Sequence, residues 1–506
     1  MTTISAGSGR PALALILTAS LAVWACGNGS SDDTGTPGDD IPAADAADVT
    51  DSGTTADAAD TGILSDIDWQ ALPRLPSDKT FTTRYAAGVA SRIVTSDHPI
   101  YMGGFGFCGG AEELCRETEG VHDDLYVQVV AIADPVNGEV VMLSGLDSVG
   151  LLHYDHNVMG DRVQRELYDK HGVFFEGNRL LISSSHAHST PDTAGLWGPM
   201  FGYGRDDVYA EFLRDQTVAA AVEAYENLAD IEMEWAMGHS PNHTDGSNPE
   251  TDDNIYVIIG KKPGGETVFT LTRWNAHPTA YGSDMNGQSS DYLGPFRLRM
   301  EEEFGGTAVF LNGCIGGTYP ERPSECGLTK EAYPDGWMDP DLSDTSHMKV
   351  TCTGYLVADN AIKAVNTGTQ PVAETGIDFR HTVFGFHPEN ELLMMMANTA
   401  PVPWEWVDID DPLSELITEF GWARVGDLNF LGTPGESFPE FGNKAAGIMA
   451  AKGYHNAIVL GLTQDWLGYI LIEEQWLDPK LSYNQGLSVG KDIDPAFMAE
   501  LEAILP

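Results

Sequence analysis

Basic residues and cysteine are what this 506-residue chain has least of: 27 Lys+Arg stand against 76 Asp+Glu, and there are six cysteines. The resulting formal charge of −49 excludes nucleic acid as a partner, because a polyanion is held by a basic footprint that releases its counterions. An anionic membrane surface is disfavoured for the same reason. No Cys-x-x-Cys pair occurs, which excludes a zinc ribbon and leaves histidine, carboxylate or tyrosine to hold any metal. From residue 69 onward there is no membrane-spanning apolar run and no internal repeat. What is present is enough apolar material for a core. Hydrophobic residues at 42% and aromatics at 9% exclude global disorder, and the length accommodates one large domain or two to three ordinary ones.

The first 68 residues read as a leader and a tether. Residues 1–26 run from the lone charge Arg10 through an apolar stretch at 12–24, which has the length of a secretory h-region. Val23-Trp24-Ala25-Cys26 resembles a bacterial lipobox, in which Cys26 is lipidated and becomes the mature N-terminus; a plain signal peptide is the alternative. Residues 27–68 carry eleven Asp and no Lys or Arg, a composition that repels itself and buries too little apolar surface to offset chain entropy. This predicts a disordered acidic tether of about forty residues, reaching on the order of 30–40 Å. The expected location is the bacterial cell envelope, as an exported lipoprotein anchored to a membrane by Cys26. Gly27 supplies no acidic retention signal, which fits an outer-membrane site in a Gram-negative cell. Residues 69–506 keep a net charge of −39, so the acidity belongs to the domain as well.

Along 69–506, short β-branched apolar runs alternate with amphipathic stretches. Strands are predicted at 125–133, 139–146, 179–184, 231–237, 255–259, 268–274, 307–311, 426–431 and 457–462. Helices are predicted at 158–170, 208–228, 292–303, 355–365, 441–452 and 496–504. This alternation implies an α/β domain of mixed β-sheets packed with helices. Residues 313–350, rich in Gly, Pro, Asp and Glu, are predicted to be a long irregular excursion. Export permits disulfides, with Cys108–Cys115 and Cys326–Cys352 the plausible pairs and Cys314 a buried thiol.

The chemistry gathers where apolar runs end. Leu180-Leu181-Ile182 feeds into Ser183-Ser184-Ser185-His186-Ala187-His188-Ser189, and on a strand the i, i+2 spacing aims both histidines one way. That pair suits zinc, the commonest partner of histidine ligands, and is equally consistent with hydrogen-bonded loop histidines. Three further runs end alike: 270–276 at His277, 428–435 at Glu436, and 458–466 towards Tyr469. In α/β folds ligands gather at such strand ends.

Read together, these blocks resemble the catalytic domain of the neutral/alkaline non-lysosomal ceramidase family. Met102-Gly103-Gly104-Phe105-Gly106 resembles its glycine turn, and Gly120-Val121-His122 with Tyr126-Val127-Gln128 its next block. Ser185-His186-Ala187-His188-Ser189 matches the core of the Thr-His-Thr-His-Ser-Gly-Pro signature, with Thr190 in place of the glycine. Asn275-Ala276-His277-Pro278, Ser290-Asp291-Tyr292, Pro434-Gly435-Glu436 and Gly461-Leu462 through Tyr469-Ile470 follow in the family's order. The resemblance spans roughly residues 80–490. It implies Zn2+ held by His186, His277, Glu436 and Tyr469, with His188 beside the activated water as the proton-transfer group and Tyr483 near the scissile bond.

Departures from the family carry their own implications. The block that holds the family's serine reads Gly317-Thr318-Tyr319-Pro320 here, so Tyr319 stands at the serine position and Thr318 is the nearest aliphatic hydroxyl. The family's substrate-orienting arginine is missing around Asn242-His243-Thr244-Asp245-Gly246, and the chain ends without the family's C-terminal β-sandwich. A zinc-water mechanism transfers; a serine-nucleophile one does not. The expected function is zinc-dependent hydrolysis of an N-acyl amide bond in a lipid-like substrate. The alternatives are a zinc esterase or other hydrolase, and a catalytically inactive, membrane-tethered binding protein. The oligomeric state is not encoded in any of these features.

Overall fold

Runs that alternate apolar residues with a period of two build the middle of the molecule. The structure is a computed structural model that describes residues 68–106, 108, 114–199, 204–244, 251–283, 285–323, 326, 345–390, 404–407 and 414–506. The expected signal peptide, Cys26 and the tether up to residue 67 lie outside the described residues. The first sheet contains β1 (Tyr85–Ile93), β2 (Tyr126–Ala133), β3 (Val140–Leu146), β4 (Leu180–Ser184), β5 (Ala229–His239), β6 (Asn254–Lys261), β7 (Thr267–Trp274) and β8 (Thr307–Asn312). Their spatial order is β8-β7-β6-β5-β1-β2-β3-β4, antiparallel except for the parallel pairs β7/β8 and β3/β4, and Gln370–Pro371 adds a short strand beside β5. The second sheet runs in chain order: β9 (Ile377–Phe386), β10 (Leu416–Val425), β11 (Leu428–Gly432) and β12 (Ala457–Leu460), with β11/β12 parallel.

Seven helices are present among the described residues: α1 (His153–His171), α2 (Asp207–Glu226), α3 (Leu293–Phe304), α4 (Thr345–Thr367), α5 (Pro439–Ala451), α6 (Ser482–Gly486) and α7 (Ile493–Ile504). Asp206 caps α2 by accepting from the Tyr209 N–H, and Gly172 ends α1 in the left-handed region (φ 63°) that glycine adopts without strain. Strand alternation sorts these elements into layers. On β2, Val127, Val129 and Ala131 pack with α1 and α2, whereas Val130 and Ile132 pack with residues of the second sheet. On β10, Phe420 and Trp422 meet α5 and α7, whereas Ala423 and Val425 turn to the first sheet. Helices α3 and α4 cover β6–β8. The two sheets therefore face one another, with helices outside both. The first sheet also curls until β3 touches β8: a Cβ on Gly145 would stand 2.2 Å from the Phe310 carbonyl oxygen, so only glycine fits there.

Each of the nine predicted strands and six predicted helices overlaps an observed element of the same type, and the mixed-sheet α/β class holds. Three features differ. β1, β9, β10 and the short α6 carry no predicted element, although Tyr85, Ile377, Phe379, Phe384, Phe386, Phe420 and Trp422 are all buried. Gly426 is the turn between β10 and β11 rather than strand, with φ 64°. α4 begins at Thr345, ten residues before the predicted helix and inside the stretch expected to be irregular. Its first turns are rich in β-branched residues with low helix propensity, and tertiary contacts stabilise them instead. Val350 is fully buried, Cys352 is bridged to Cys326, and Gly354 lets α4 approach α3 so closely that a Cβ would lie 2.4 Å from the Tyr292 carbonyl oxygen. The Cys108–Cys115 bridge is also present, and Cys314 is a buried free thiol whose pKa burial pushes up to about 12.

Two buried ionic groups tie the layers. Arg297 of α3 grips Asp147 with two hydrogen bonds, at 2.8 and 2.5 Å, just where the chain leaves β3 for the centre described below. Removing one partner of such a pair leaves a buried charge uncompensated. Arg297→Met is expected to lower unfolding free energy by about 3–5 kcal/mol, read from denaturant midpoints. The second group is His153 of α1, whose ring is 3.2 Å from Glu405 and 3.7 Å from Glu419 and whose backbone N–H donates to Asp465 at 2.9 Å. Burial opposes charge on this imidazole, but Glu419, Asp465 and Glu405 outweigh it and raise the pKa to about 9. Because the folded value lies above the unfolded one, the stabilisation is complete below about pH 6.5 and is lost as pH rises through 9. Thermal midpoints should fall across that window, and His153→Gln should flatten the fall by on the order of 3 kcal/mol.

Candidate metal centre

Each predicted ligand stands just beyond a strand. After β4 the Ser185 and His186 N–H groups bond to the Leu146 and Ser148 carbonyls at 2.7 and 2.8 Å, which turns the chain out of the sheet. His186 then takes φ 61°, a left-handed conformation that is strained for a non-glycine residue and persists where its surroundings enforce it. Beyond β7, both the N–H and Nδ1 of His277 meet the Thr318 carbonyl at 3.0 Å. Beyond β11 and β12, Glu436 and Tyr469 are direct partners in the two-residue parallel ladder Glu436–Ser437/Tyr469–Ile470, which sends both side chains to one face. Asn312, at the end of β8, stitches these strand ends together. Its side-chain amide donates to the Ser184 and Ser185 carbonyls at 3.0 and 2.5 Å, and its backbone carbonyl accepts from the Gly461 N–H at 3.1 Å.

The Glu436 carboxylate is the hub. Its Oε2 lies 3.1 Å from His277 Nε2 and 3.3 Å from His186 Nε2, and its Oε1 accepts from Trp466 Nε1 at 3.1 Å. His186 Nδ1 donates to the Val149 carbonyl and His277 Nδ1 to that of Thr318, which aims both Nε2 atoms at Glu436: protonated they donate to its carboxylate, and deprotonated they would offer lone pairs to an ion. The His188 ring stands edge-on to both, with centroids 4.7 Å from His186 and 5.8 Å from His277. One ring nitrogen from each histidine lies within 4.8 Å of those of the other two. Both nitrogens of His188 are buried without a hydrogen-bond partner. Leaving two such atoms unmatched costs free energy that a ligand would recover. Three buried imidazoles converging on a carboxylate, one of them unmatched, is a donor set that fits zinc.

Electrostatics follow from burial and mutual contact. Burial opposes ionisation of Glu436, but His186 and His277 override it and hold the carboxyl well below its usual range. Burial likewise opposes charge on His186, yet Glu436 and the Val149 carbonyl raise its pKa. His188 is driven well below the ordinary histidine value by burial, then by His186 and His277, and is therefore neutral at neutral pH.

The centre opens into a narrow cleft walled by Trp197, Trp404, Trp466, Tyr469 and Tyr483, with Leu196, Leu467 and Leu487 between them. Tyr483, on α6, is 56% exposed at this wall, its ring 6.3 Å from that of Tyr469. Tyr319 stacks its ring on His277 with centroids 5.2 Å apart and planes 21° from parallel. The Thr318 hydroxyl is buried and donates to the Ile315 carbonyl at 2.9 Å; its backbone carbonyl is what orients His277. On the far side of His188, Phe105 packs edge-on at 4.6 Å beneath the Arg116 guanidinium, the two residues flanking the Cys108–Cys115 bridge.

The two histidines meet as expected, though not by strand alternation: β4 has already ended, and the left-handed turn at His186 brings the rings together. Sequence reasoning did not assign Trp466, Val149 or the Thr318 carbonyl a role. An indole next to a candidate acid leaves only a weak signal, and backbone carbonyls leave none. Trp466→Phe removes the hydrogen bond to Glu436 while keeping an aromatic wall, and is expected to weaken zinc affinity about 10–100-fold, measured by chelator competition. Gly104→Ala places a Cβ 2.3 Å from His188 Cγ and should displace that ring without unfolding the domain, read from the NMR shifts of the His188 imidazole.

No family model and no curated protein sequence matches the chain. Among solved structures, the neutral ceramidase from Pseudomonas aeruginosa superposes with a TM-score of 0.67 at 14% identity, over 83% of this chain and 74% of that one. A ceramidase complexed with C2 superposes with a TM-score of 0.65 at 13% identity, over 84% of this chain and 75% of that one. The layered sheets thus belong to a shared architecture: the chain has the fold of the neutral ceramidases.

Proposed function

We propose that the protein is a divergent relative of the neutral ceramidases and a zinc-dependent hydrolase of N-acyl amide bonds in a lipid-like substrate. The observation that carries this reading is the unmatched His188 beside the His186–His277–Glu436 cluster, at the inner end of an aromatic cavity. His186, His277 and Glu436 would hold the ion, with Tyr469 completing the set from its ladder position beside Glu436. Zinc in such a site supplies a water acidic enough to ionise near neutral pH and a Lewis acid for the acyl carbonyl.

The remaining roles fall to the chain itself. His188 is neutral and has no competing hydrogen bond, so it can take a proton from the attacking water and pass it to the leaving nitrogen. Tyr483 flanks the cleft where its phenol can orient the amide. The indoles of Trp197, Trp404 and Trp466 offer an apolar surface against which an acyl chain could pack, shielding the bond being broken from water. With Tyr319 at the family's serine position and the Thr318 hydroxyl turned to Ile315, water and not a side-chain hydroxyl is the nucleophile. The same centre would serve an ester, which requires less help for its leaving group. Lipidation at Cys26 and an envelope location complete the proposal, since a tethered domain could reach amphiphiles in the membrane that anchors it.

The test is fatty-acid release by the full chain from N-acyl sphingoid bases, simpler N-acyl amines and matched esters, before and after chelation. Release that is abolished by chelator and restored by zinc is the expected result. His188→Ala should lower turnover by roughly 10²–10⁴-fold while retaining zinc; loss of zinc instead would make His188 a ligand. A folded, zinc-loaded protein that releases no acid from any of these substrates overturns the hydrolase reading in favour of a binding protein.

A further inference from the structure

The cleft is shut on the side of Trp197 and Trp466. Their ring centroids stand 5.6 Å apart with planes 48° from parallel, and both indoles are buried together with Leu196 and Leu467. Trp466 is bonded to Glu436 and backed by Gly150, where a Cβ would stand 2.7 Å from the indole. Trp197 belongs to a turn wound about the buried Asp192 carboxylate, which accepts from the Ala194, Gly195 and Trp197 N–H groups at 3.1, 2.6 and 2.7 Å. Arg205 bonds to Asp155 at 2.8 and 2.6 Å and donates to the Thr193 carbonyl at 2.8 Å. The Thr193 hydroxyl donates in turn to the Gly150 carbonyl. The turn that carries Trp197 is therefore tied to the segment that backs Trp466. On the open side Tyr483 is half-exposed.

From this closure we infer that Trp197 sets an acyl-length limit: the cleft takes N-acyl amides whose acyl group has about two to four carbons, with any long chain on the amine side. The inference rests on the amide-hydrolase reading above. The open volume of the cleft is about 50 Å³. A cavity of roughly 150 Å³ encloses one benzene ring, and sites for drug-sized ligands run to about 300–1,000 Å³. Added methylenes would have to displace an indole, and close-packed interiors resist such overfilling. The Asp192 turn makes that displacement costly, because moving Trp197 strips N–H bonds from a buried carboxylate. Orientation follows from the two oxygens of Glu436. His186 and His277 meet Oε2, with the His188 ring beside both, whereas Trp466 meets Oε1. If His188 delivers the proton to the leaving nitrogen, the amine lies on the histidine side and the acyl group points to Trp466 and Trp197. A long amine chain then runs out past the exposed Tyr483.

The test uses the full chain loaded with zinc and N-acyl derivatives of dodecylamine whose acyl groups have two, four, eight and sixteen carbons. Amine release should give a kcat/KM that falls at least about tenfold between four and eight carbons. Trp197→Ala should raise the eight-carbon value relative to the two-carbon value at least about tenfold, with zinc content unchanged. If circular dichroism shows that this variant does not fold, Trp197→Leu keeps an apolar side chain and should shift the profile the same way. Alkyl hydroxamates of the same acyl lengths, titrated by calorimetry, read the limit without turnover: acetohydroxamate should bind more tightly than the eight- and sixteen-carbon compounds. The inference is overturned if kcat/KM rises with acyl length up to sixteen carbons, or if the Trp197 variants leave the profile unchanged. It is also overturned if N-acetyl amides of butylamine and dodecylamine differ more than the acyl series does, since the amine would then face the indoles. A zinc-loaded chain that hydrolyses nothing yet prefers the short hydroxamate upholds the limit and ends the hydrolase reading. Turnover with a long-chain preference does the reverse, and a chain that takes up no zinc removes both.

Discussion

The rest of the centre depends on one buried carboxylate. Glu436 belongs to the second sheet's side of the molecule, whereas His186 and His277 follow strands of the first, and all three meet within hydrogen-bonding reach. An ionised carboxylate with almost no solvent contact is tolerated only where donors surround it. Two imidazoles and the Trp466 indole provide that surround, so the charge that would destabilise either sheet alone becomes the contact that joins them. The strained turn at His186 follows from the same demand, because an extended residue there would aim its ring elsewhere.

Other features serve this junction. Asn312 holds the ends of β4, β8 and β12 in register through three backbone contacts, and Gly145 lets the first sheet curl far enough for β8 to arrive there. Arg297 neutralises Asp147 at the entry to the loop whose carbonyls, at Leu146, Ser148 and Val149, shape the turn and orient His186. The cavity is the complement of this polar knot. Indoles and leucines crowd up to it, and the low polarity they create strengthens every interaction among the buried groups.

Much of this was legible in the sequence, for reasons that can be named. β4 and β12 carry short continuous apolar runs, β7 and β11 runs broken by Thr, Arg or Asn, and each is followed by a residue capable of chemistry, as buried strands with functional ends are. The spacing of the runs revealed the helices between them. What stayed hidden depends on tertiary contact. The start of α4 is a poor helix sequence held by a disulfide, a buried valine and a glycine against α3. The orienting carbonyls of Val149 and Thr318 belong to residues whose side chains say nothing about the role. His186 was singled out for its imidazole, yet its backbone conformation, which decides where the imidazole goes, has no sequence signature outside glycine.

The pairing of Glu436 with Tyr469 has a kinetic side as well. The two residues are neighbours across a ladder only two residues long, and their partners His186 and His277 lie 250 and 159 positions upstream of Glu436. Closing loops of that size is slow, and little local structure rewards it before the sheets dock. The centre is therefore the last part of the molecule to exist during folding and the first to be lost when the sheets separate. An ion bound there would act as a latch on the docked state, raising the population of the assembled domain by mass action even though no element needs it to form.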